Sequence, residues 1–422
     1  MLIPSDLLKD KKILLGVTGS IAVYKSLDLV RLFVKAGADV RVVMSEAAKK
    51  FVTPLTFETL TSNQVLDDTN ESWINDHNHI KTTEWADLFV IAPATANTIA
   101  KLANAIADNM LLQCALAYPG TKILAPSANT NMLENPITKG NLKMLAISNY
   151  ELVDTQTKEL ACRTTGDGAM AEPIDVFWQS ARALLKEEFW TDRRVIVTGG
   201  GTIEKIDDVR YLSNFSSGKM ASSLATALYC KGADVNLIAT RFEDNIPLDM
   251  YTIDVESSSE MFEYLTDSIR IAKKGKLSKA SLMNNEQIHL IQKQPYLFMA
   301  AAVSDYIPEY TQDGKLKKEM LGDSFELSLT QNIDILDSID KDGLITVGFK
   351  AEMAQETAMK SASKMIDIKG VDAVCLNILK DSSSFGGDTN KIEFITPDKI
   401  ESLPSTDKLT LSFDILEHAK IL

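Results

Sequence analysis

The chain has 422 residues, 45% apolar and 24% charged, which is more sequence than one hydrophobic core usually serves and reads as a folded protein of two domains. A formal charge of −14 works against DNA, RNA and anionic lipid as partners, while leaving room for a local basic pocket that takes one anionic metabolite. Cys114, Cys162, Cys230 and Cys375 are too widely spaced for a CxxC zinc site or a disulfide framework, which points to reduced thiols. The N-terminus MLIPSDLLKDKK has no apolar signal core and no later stretch approaches the length of a membrane span, so a soluble cytoplasmic protein is expected.

In chain order, Lys12 to Val17 is an apolar strand ending in Thr18-Gly19-Ser20. A helical pattern follows over 21–37, with Ile21, Leu27, Val30, Leu32, Phe33 and Val34 as its apolar stripe, and GADVRVVMS supplies the next strand. Phe89 to Ala92 is a further strand that turns through Pro, Thr and Asn into a helix, and TKILAPSANTNM repeats the design at 121–132. A helix-like stretch over 175–190 then gives way to a fresh start: the apolar run Val195-Ile196-Val197, the glycines Gly199 to Gly201, and Ser216-Ser217-Gly218-Lys219 ahead of an Ala-rich helix. The alternation predicts an α/β protein of two doubly wound, mostly parallel, Rossmann-like domains, residues 1–190 and 191–422. Segment 272–295 is polar and weakly periodic, and is expected as an extended helix or an inserted loop. KAGADVRVVMS and CKGADVNLIAT share one helix-to-strand wording, which duplication or the limited vocabulary of βαβ units would each produce, the second being favoured.

Residues that carry chemistry fall after strand ends, where ligands sit in open α/β sheets. The turn Gly19-Ser20-Ile21 opens a helix, and a small-residue turn there binds a phosphate through N–H groups and the helix dipole. His79 has the proton affinity for acid–base work near neutrality, and the pair His77 and His79 lacks the nearby Cys or carboxylate cluster of a metal site. Three lysines, Lys315, Lys317 and Lys318, form a local anion sink in an acidic chain.

Taken together, these motifs resemble the bifunctional family in which a phosphopantothenoylcysteine decarboxylase is fused to a phosphopantothenate-cysteine ligase. The resemblance runs from about Lys11 to the C-terminal strand, and implies an N-terminal flavoprotein domain and a C-terminal ligase domain. In the first half it implies FMN held by Gly19, Ser20, Ile21, Ser45, Ala94, Thr95 and Asn97, with His79, Asn129 and Cys162 catalytic. Asn129 stands in PSANTNM, where Ala128 replaces the family's Met, and Cys162 stands on a Gly-rich stretch where Arg163 and Thr164 replace the usual Gly-Asp. The implied reaction removes carbon dioxide after oxidation of the substrate's thiol-bearing carbon, with Cys162 giving the final proton.

In the second half, RYLSNFSSGKM carries Asn214, the group implied to hold a developing acyl-phosphate, and Lys315 is the lysine of the K-x-K-K motif. Ala301, Asp305, Ile333, Asp334, Ile335, Phe349, Lys364 and Lys369 match nucleotide-contacting positions. The fused form implies CTP with Mg²⁺, small-molecule substrates (4′-phosphopantothenate and cysteine) and a homo-oligomer, the flavin domain trimeric and the ligase domain dimeric. No residue is assigned as a metal ligand. Two other readings stay open on the residues: an NAD-dependent dehydrogenase, which lacks a clean G-x-G-x-x-G, and a non-catalytic flavin-binding regulatory protein, which His79, Cys162 and Lys315 oppose.

Overall fold

The computed structural model describes residues 1–159, 165–278, 282, 287–317, 319, 324–353, 355–379 and 386–422. It divides into two compact units, one of Ile3–Lys186 with Ser278–His289, the other of Met1–Leu2, Glu187–Leu277 and Leu290–Leu422. Both are α/β.

In the first unit β1 (Lys12–Val17), β2 (Asp39–Met44), β3 (Leu88–Ala94), β4 (Lys122–Pro126) and β5 (Tyr150–Leu152) form a parallel sheet in the order β2-β1-β3-β4-β5. The order reverses between β1 and β3, and this opens a crevice at their C-terminal ends. Leu14, Phe89, Ile91 and Leu124 are fully buried, as unbroken apolar strands covered on both faces must be. The helix Val23–Lys35 buries Val23, Ser26, Leu29, Val30 and Phe33, and Phe33 meets Phe177 of the helix Pro173–Leu185 at 5.8 Å between ring centroids. Ile21 and Val34, expected on the buried stripe, are exposed. The spacing 23, 26, 30 and 33 follows the 3.6-residue period; Val34 lies off that face, and Ile21 falls in the turn before the helix begins. An antiparallel hairpin, β6 (Gln156–Glu159) with β7 (Thr165–Ala169), follows the sheet.

The second unit is built on β8 (Arg194–Gly199), with a ribbon of β9 (Ile203–Lys205) and β10 (Tyr211–Ser213), then β11 (Asp234–Ala239) and β12 (Tyr251–Asp254). After these come the short pair β13 (Lys276–Leu277) and β14 (Leu290–Ile291), the strand β15 (Tyr296–Met299), and a ribbon of β16 (Tyr306–Pro308) and β17 (Leu329–Gln331). β18 (Ile345–Glu352), β19 (Ala373–Ile378), β20 (Thr389–Asn390), β21 (Glu393–Ile395), β22 (Ile400–Ser402) and β23 (Thr406–Asp407) complete it. The main sheet runs β12-β11-β8-β15-β18-β19-β21-β22, parallel through β19 and antiparallel for the last two strands. Read from β8, its first six strands have the 3-2-1-4-5-6 order, with the reversal between β8 and β15.

The polar stretch 272–295 does not extend the helix before it, the first of the two expected forms. The helix Ser258–Ala272 stops there and the chain enters the β13–β14 pair, because Gly275 takes φ +72°, where a Cβ would lie 2.6 Å from the Ile291 carbonyl oxygen.

Candidate functional site

In the first unit the crevice between β1 and β3 is a cavity of about 630 Å³ lined by Gly19, Ser20, Ser45, Thr95 and Asn97, all expected there, and by Thr18 and Ser127. Thr18 ties the two loops together: its Oγ1 donates to the Pro93 carbonyl at 2.7 Å and accepts from the Thr95 N–H at 3.1 Å. Ser20 Oγ lies 3.0 Å from Ser127 Oγ, which brings in the loop after β4. Thr95 caps the helix Ala96–Ala103, whereas the helix Val23–Lys35 starts without a cap from its N-cap side chain, and the Ala22 and Val23 N–H groups donate instead to Ser20 Oγ at 3.2 Å and the Ser20 carbonyl at 3.1 Å. Gly19 is required by close approach, since a Cβ there would sit 2.5 Å from the Ala47 Cβ. Ser45 Oγ is buried without a hydrogen-bond partner, a group that a polar ligand satisfies. Ile21, exposed in the turn ahead of the first helix, and Ala94, buried at the end of β3, do not line the cavity. Thr18 and Ser127 share the signal that marked the others, a hydroxyl directly after an apolar strand.

His79 opens the helix His79–Trp85, capped by the Asn78 side chain. Its Nδ1 lies 2.7 Å from Glu71 Oε1, and because an ionised carboxylate only accepts, Nδ1 carries the proton of that contact; in the neutral imidazole Nε2 is then the acceptor. Glu71 was not visible as a partner in the sequence. Trp73 meets the imidazole edge-on at 5.7 Å. His79 does not line the cavity, and neither does Asn129, which caps the short helix Thr130–Glu134 between the lining residues Ala128 and Met132. The β6–β7 hairpin lies on this loop: the Ala128 N–H donates to the Gly168 carbonyl at 3.2 Å, and a Cβ on Gly168 would come within 2.3 Å of the Ala128 carbonyl oxygen. Cys162, Arg163 and Thr164 fall outside the described residues.

In the second unit two cavities of about 450 Å³ each flank Ala301 and Phe349, which line both. The loop after β15 is positioned from β8 and the residues that follow it: the Ala301 N–H donates to Thr198 Oγ1 at 3.3 Å and the Ser304 N–H to Thr202 Oγ1 at 3.2 Å. One cavity gathers Asp305, Ile333, Asp334, Ile335 and Lys369 around that shared pair. Asn332 shapes it, donating to the Ser304 carbonyl at 2.7 Å and accepting from the Ile333 N–H at 2.8 Å. Lys369 Nζ is 2.7 Å from Asp334 Oδ2. Burial pushes the Asp334 carboxyl up, but the Lys369 ammonium and backbone N–H groups outweigh it and hold the group below the usual carboxylate range. Lys364 is exposed and does not line the cavity; Met365, four residues before Lys369, occupies that face of the helix Gln355–Lys369.

The other cavity contains Asn214, whose Nδ2 donates to the Val303 carbonyl at 3.0 Å, and the Ser216 to Lys219 turn. Gly218 takes φ +74° there, with a Cβ position 2.4 Å from the Arg241 carbonyl oxygen. Lys315 lines neither cavity. Its loop is pinned to the turn before β10, with the Gly314 N–H on Asp208 Oδ2 and the Leu316 N–H on Asp207 Oδ2, both at 3.1 Å, and Arg210 Nη2 on the Leu316 carbonyl at 2.8 Å. Lys318 lies outside the described residues. Among the described residues no group of three or more His, Cys, Asp or Glu is placed to hold a metal ion.

Residues 2–184 match the Flavoprotein family, and residues 190–274 and 271–422 match the DNA/pantothenate metabolism flavoprotein C-terminal domain. The Coenzyme A biosynthesis bifunctional protein CoaBC of Bacillus subtilis is 34% identical over 427 residues, covering 99% of this chain and 98% of its own length. Its counterpart in Borreliella burgdorferi is 32% identical over 415 residues, with 97% and 99% covered, and that of Escherichia coli 31% over 422 residues, with 97% of each covered. Motif order, two switch-point sites and full-length identity converge: the chain belongs to the family of bifunctional coenzyme A biosynthesis proteins.

Proposed function

We propose that the chain joins cysteine to 4′-phosphopantothenate through an acyl-cytidylate, using CTP and releasing CMP and pyrophosphate, and then decarboxylates the product to 4′-phosphopantetheine. The ligase reaction belongs to residues 191–422 and the decarboxylation to residues 1–190. The observation that carries this reading is the difference in lining between the cavity at the strand reversal of the first sheet and the two adjoining cavities that share Ala301 and Phe349 in the second unit.

FMN fits the first cavity: Ser45 Oγ lacks a partner, the hydroxyls of Thr18, Ser20, Thr95 and Ser127 line it, and Gly19, where a Cβ would meet Ala47, keeps the turn ahead of the helix small. Ser20, Ser45, Thr95 and Asn97 would hold it there. When bound, FMN supplies the two-electron oxidation and reduction at the thiol-bearing carbon of the substrate. His79 Nε2, its ring fixed by Glu71, takes a proton from the substrate, and Asn129 hydrogen-bonds its carboxylate. Cys162 protonates the enethiolate left after carbon dioxide departs.

On the ligase side, Phe349 and Ala301 pack against the base, Asp305, Asp334 and Lys369 read the nucleotide, and Asn214 stabilises the anion that develops as the acid attacks the α-phosphate. Mg²⁺ accompanies the triphosphate. The exposed apolar side chains Tyr211, Phe215, Tyr306, Tyr310 and Leu329 support pairing of ligase domains, and a second copy offers a route for Lys315 to reach a cavity; the flavin domain is proposed to be trimeric. No described helix is long and apolar enough to cross a membrane, in keeping with the proposed place in the cytoplasm. Incubation with phosphopantothenate, cysteine and either CTP or ATP, with products weighed by mass spectrometry, tests the whole reading. Phosphopantetheine, carbon dioxide, CMP and pyrophosphate are expected from CTP; accumulation of the acylated cysteine alone would remove the decarboxylase step.

A further inference from the structure

Lys25 places an ammonium where burial is costly: it lies on the helix Val23–Lys35 with 7% of its surface exposed. Its Nζ donates to the Met170 carbonyl at 2.6 Å and to Glu172 Oε1 at 3.1 Å, both just beyond the β6–β7 hairpin. A methionine of similar length would fill the same space without desolvating a charge, so stability alone does not account for a lysine here. The next residue, Ser26, donates from Oγ to the Ala92 carbonyl of β3 at 2.8 Å. Consecutive residues of one helix thus tie two elements, the strand that leads to Thr95 and Asn97 and the chain that leaves the hairpin. The turn ahead of the same helix, with Gly19 and Ser20, lines the flavin-side cavity.

The hairpin is held from a second side by the loop after β4. The Ala128 N–H donates to the Gly168 carbonyl at 3.2 Å. A Cβ on Gly166 would lie 2.2 Å from Thr130 Oγ1, and one on Gly168 would lie 2.3 Å from the Ala128 carbonyl oxygen, so the two glycines let β7 lie against the residues on either side of Asn129. That loop has its own tether, Ser127 Oγ to Ser20 Oγ at 3.0 Å. It therefore keeps its place without the lysine, whereas the Met170 carbonyl, at the exit of the hairpin, is fixed by the Lys25 ammonium.

We propose that Lys25 is a positioning residue for the decarboxylation: it fixes the exit of the β6–β7 hairpin to the helix that follows the flavin-side turn, and so sets where the hairpin holds its proton donor. Lys25 does not itself line the cavity, so it acts through the hairpin. The proposal rests on the decarboxylase reading, in which Cys162, between β6 and β7 in the chain, returns the last proton.

Rapid anaerobic mixing of the FMN-loaded full chain with phosphopantothenoylcysteine separates two phases. Flavin absorbance falls as an electron pair leaves the thiol-bearing carbon, and returns as that pair goes back to the product with the proton from Cys162. Lys25→Met should leave the fall within about twofold and slow the return about tenfold, and Lys25→Arg, which keeps the charge, should restore the return to within about threefold. Glu172→Gln, a milder loss of the same contact, should slow the return about threefold, and it decides the matter where Lys25→Met yields no folded flavoprotein. Alkylation of Cys162 by iodoacetamide, read by peptide mass, reports the hairpin without turnover, since Cys114, Cys230 and Cys375 are buried; Lys25→Met should change its rate about threefold or more. An unchanged return of absorbance in both variants overturns the proposal, as does equal slowing of both phases with the alkylation rate unmoved, the mark of general damage. A wild-type chain whose flavin never bleaches with this substrate would sink the decarboxylase reading instead, while the alkylation comparison still tells whether Lys25 holds the hairpin.

Discussion

The two switch-point sites solve different problems with the same architecture. The flavin-side crevice is floored by hydroxyls, Thr18, Ser20, Ser45, Thr95 and Ser127, and charges at its rim are already engaged, Lys101 with Asp108 at 2.6 Å and Asp68 with the Met110 N–H at 2.6 Å. The ligase-side cavities instead present Lys219, Lys350, Lys408 and Lys369. A bound flavin brings its own electronics and needs neutral donors, a helix terminus and shape, whereas acyl activation releases pyrophosphate and needs cations where that charge moves. Within one acidic chain, lysines gather in the cavities proposed for phosphoryl chemistry.

Substitutions on one side should leave the other intact, and the sharpest break comes from the thiol. Cys162→Ser is expected to lower carbon dioxide release by roughly 10²- to 10⁴-fold while the protein stays yellow and still forms CMP; unchanged release would remove Cys162 from the chemistry. Asn214→Ala is the mirror experiment, lowering CMP formation by about 10²- to 10³-fold with flavin absorbance untouched. Gly19→Val places a side chain where a Cβ already meets Ala47 at 2.5 Å, so the purified protein should lose its flavin spectrum yet retain ligase activity. Glu71→Gln keeps the size but weakens the hold on the His79 Nδ1 proton. Decarboxylation should fall roughly tenfold and its pH profile move, which a purely structural role for Glu71 would not produce.

The smallest effect concerns the framework. Lys122 begins β4, at the end of the sheet away from the crevice, with its ammonium 5.5 and 5.1 Å from the Tyr118 and Tyr150 ring centroids. Burial pulls it from the usual 10.5 down to about 8. Between pH 8 and 10.5 the unfolded chain therefore binds the extra proton, so the fold gains stability as pH rises through that window and carries a constant penalty below it. Lys122→Met should stabilise the first unit by about 1 kcal/mol at pH 7, with the advantage fading towards pH 10. Denaturant unfolding at both pH values measures it.

Much of this was legible in the residues themselves. Apolar runs marked β1, β3 and β8, because strands covered on both faces must be apolar throughout, and the small-residue turn directly after β1 marked Gly19, while Ser45, Thr95 and Asn214 were reached through the family resemblance of their motifs. Motif order carried the family. What local pattern could not reach was everything set by strand order and helix rotation. Sheet order makes one crevice of the turns after β1 and β3, and the helix period turns Lys364 to solvent while Lys369 faces its cavity. The pairing of Glu71 with His79 and the meeting of Lys219 with Lys408 depend on contacts between separate elements, whose energies have no signature in the neighbouring residues. Burial and turn chemistry are local and can be read along the chain; which charges share a cavity is decided only when the sheets close.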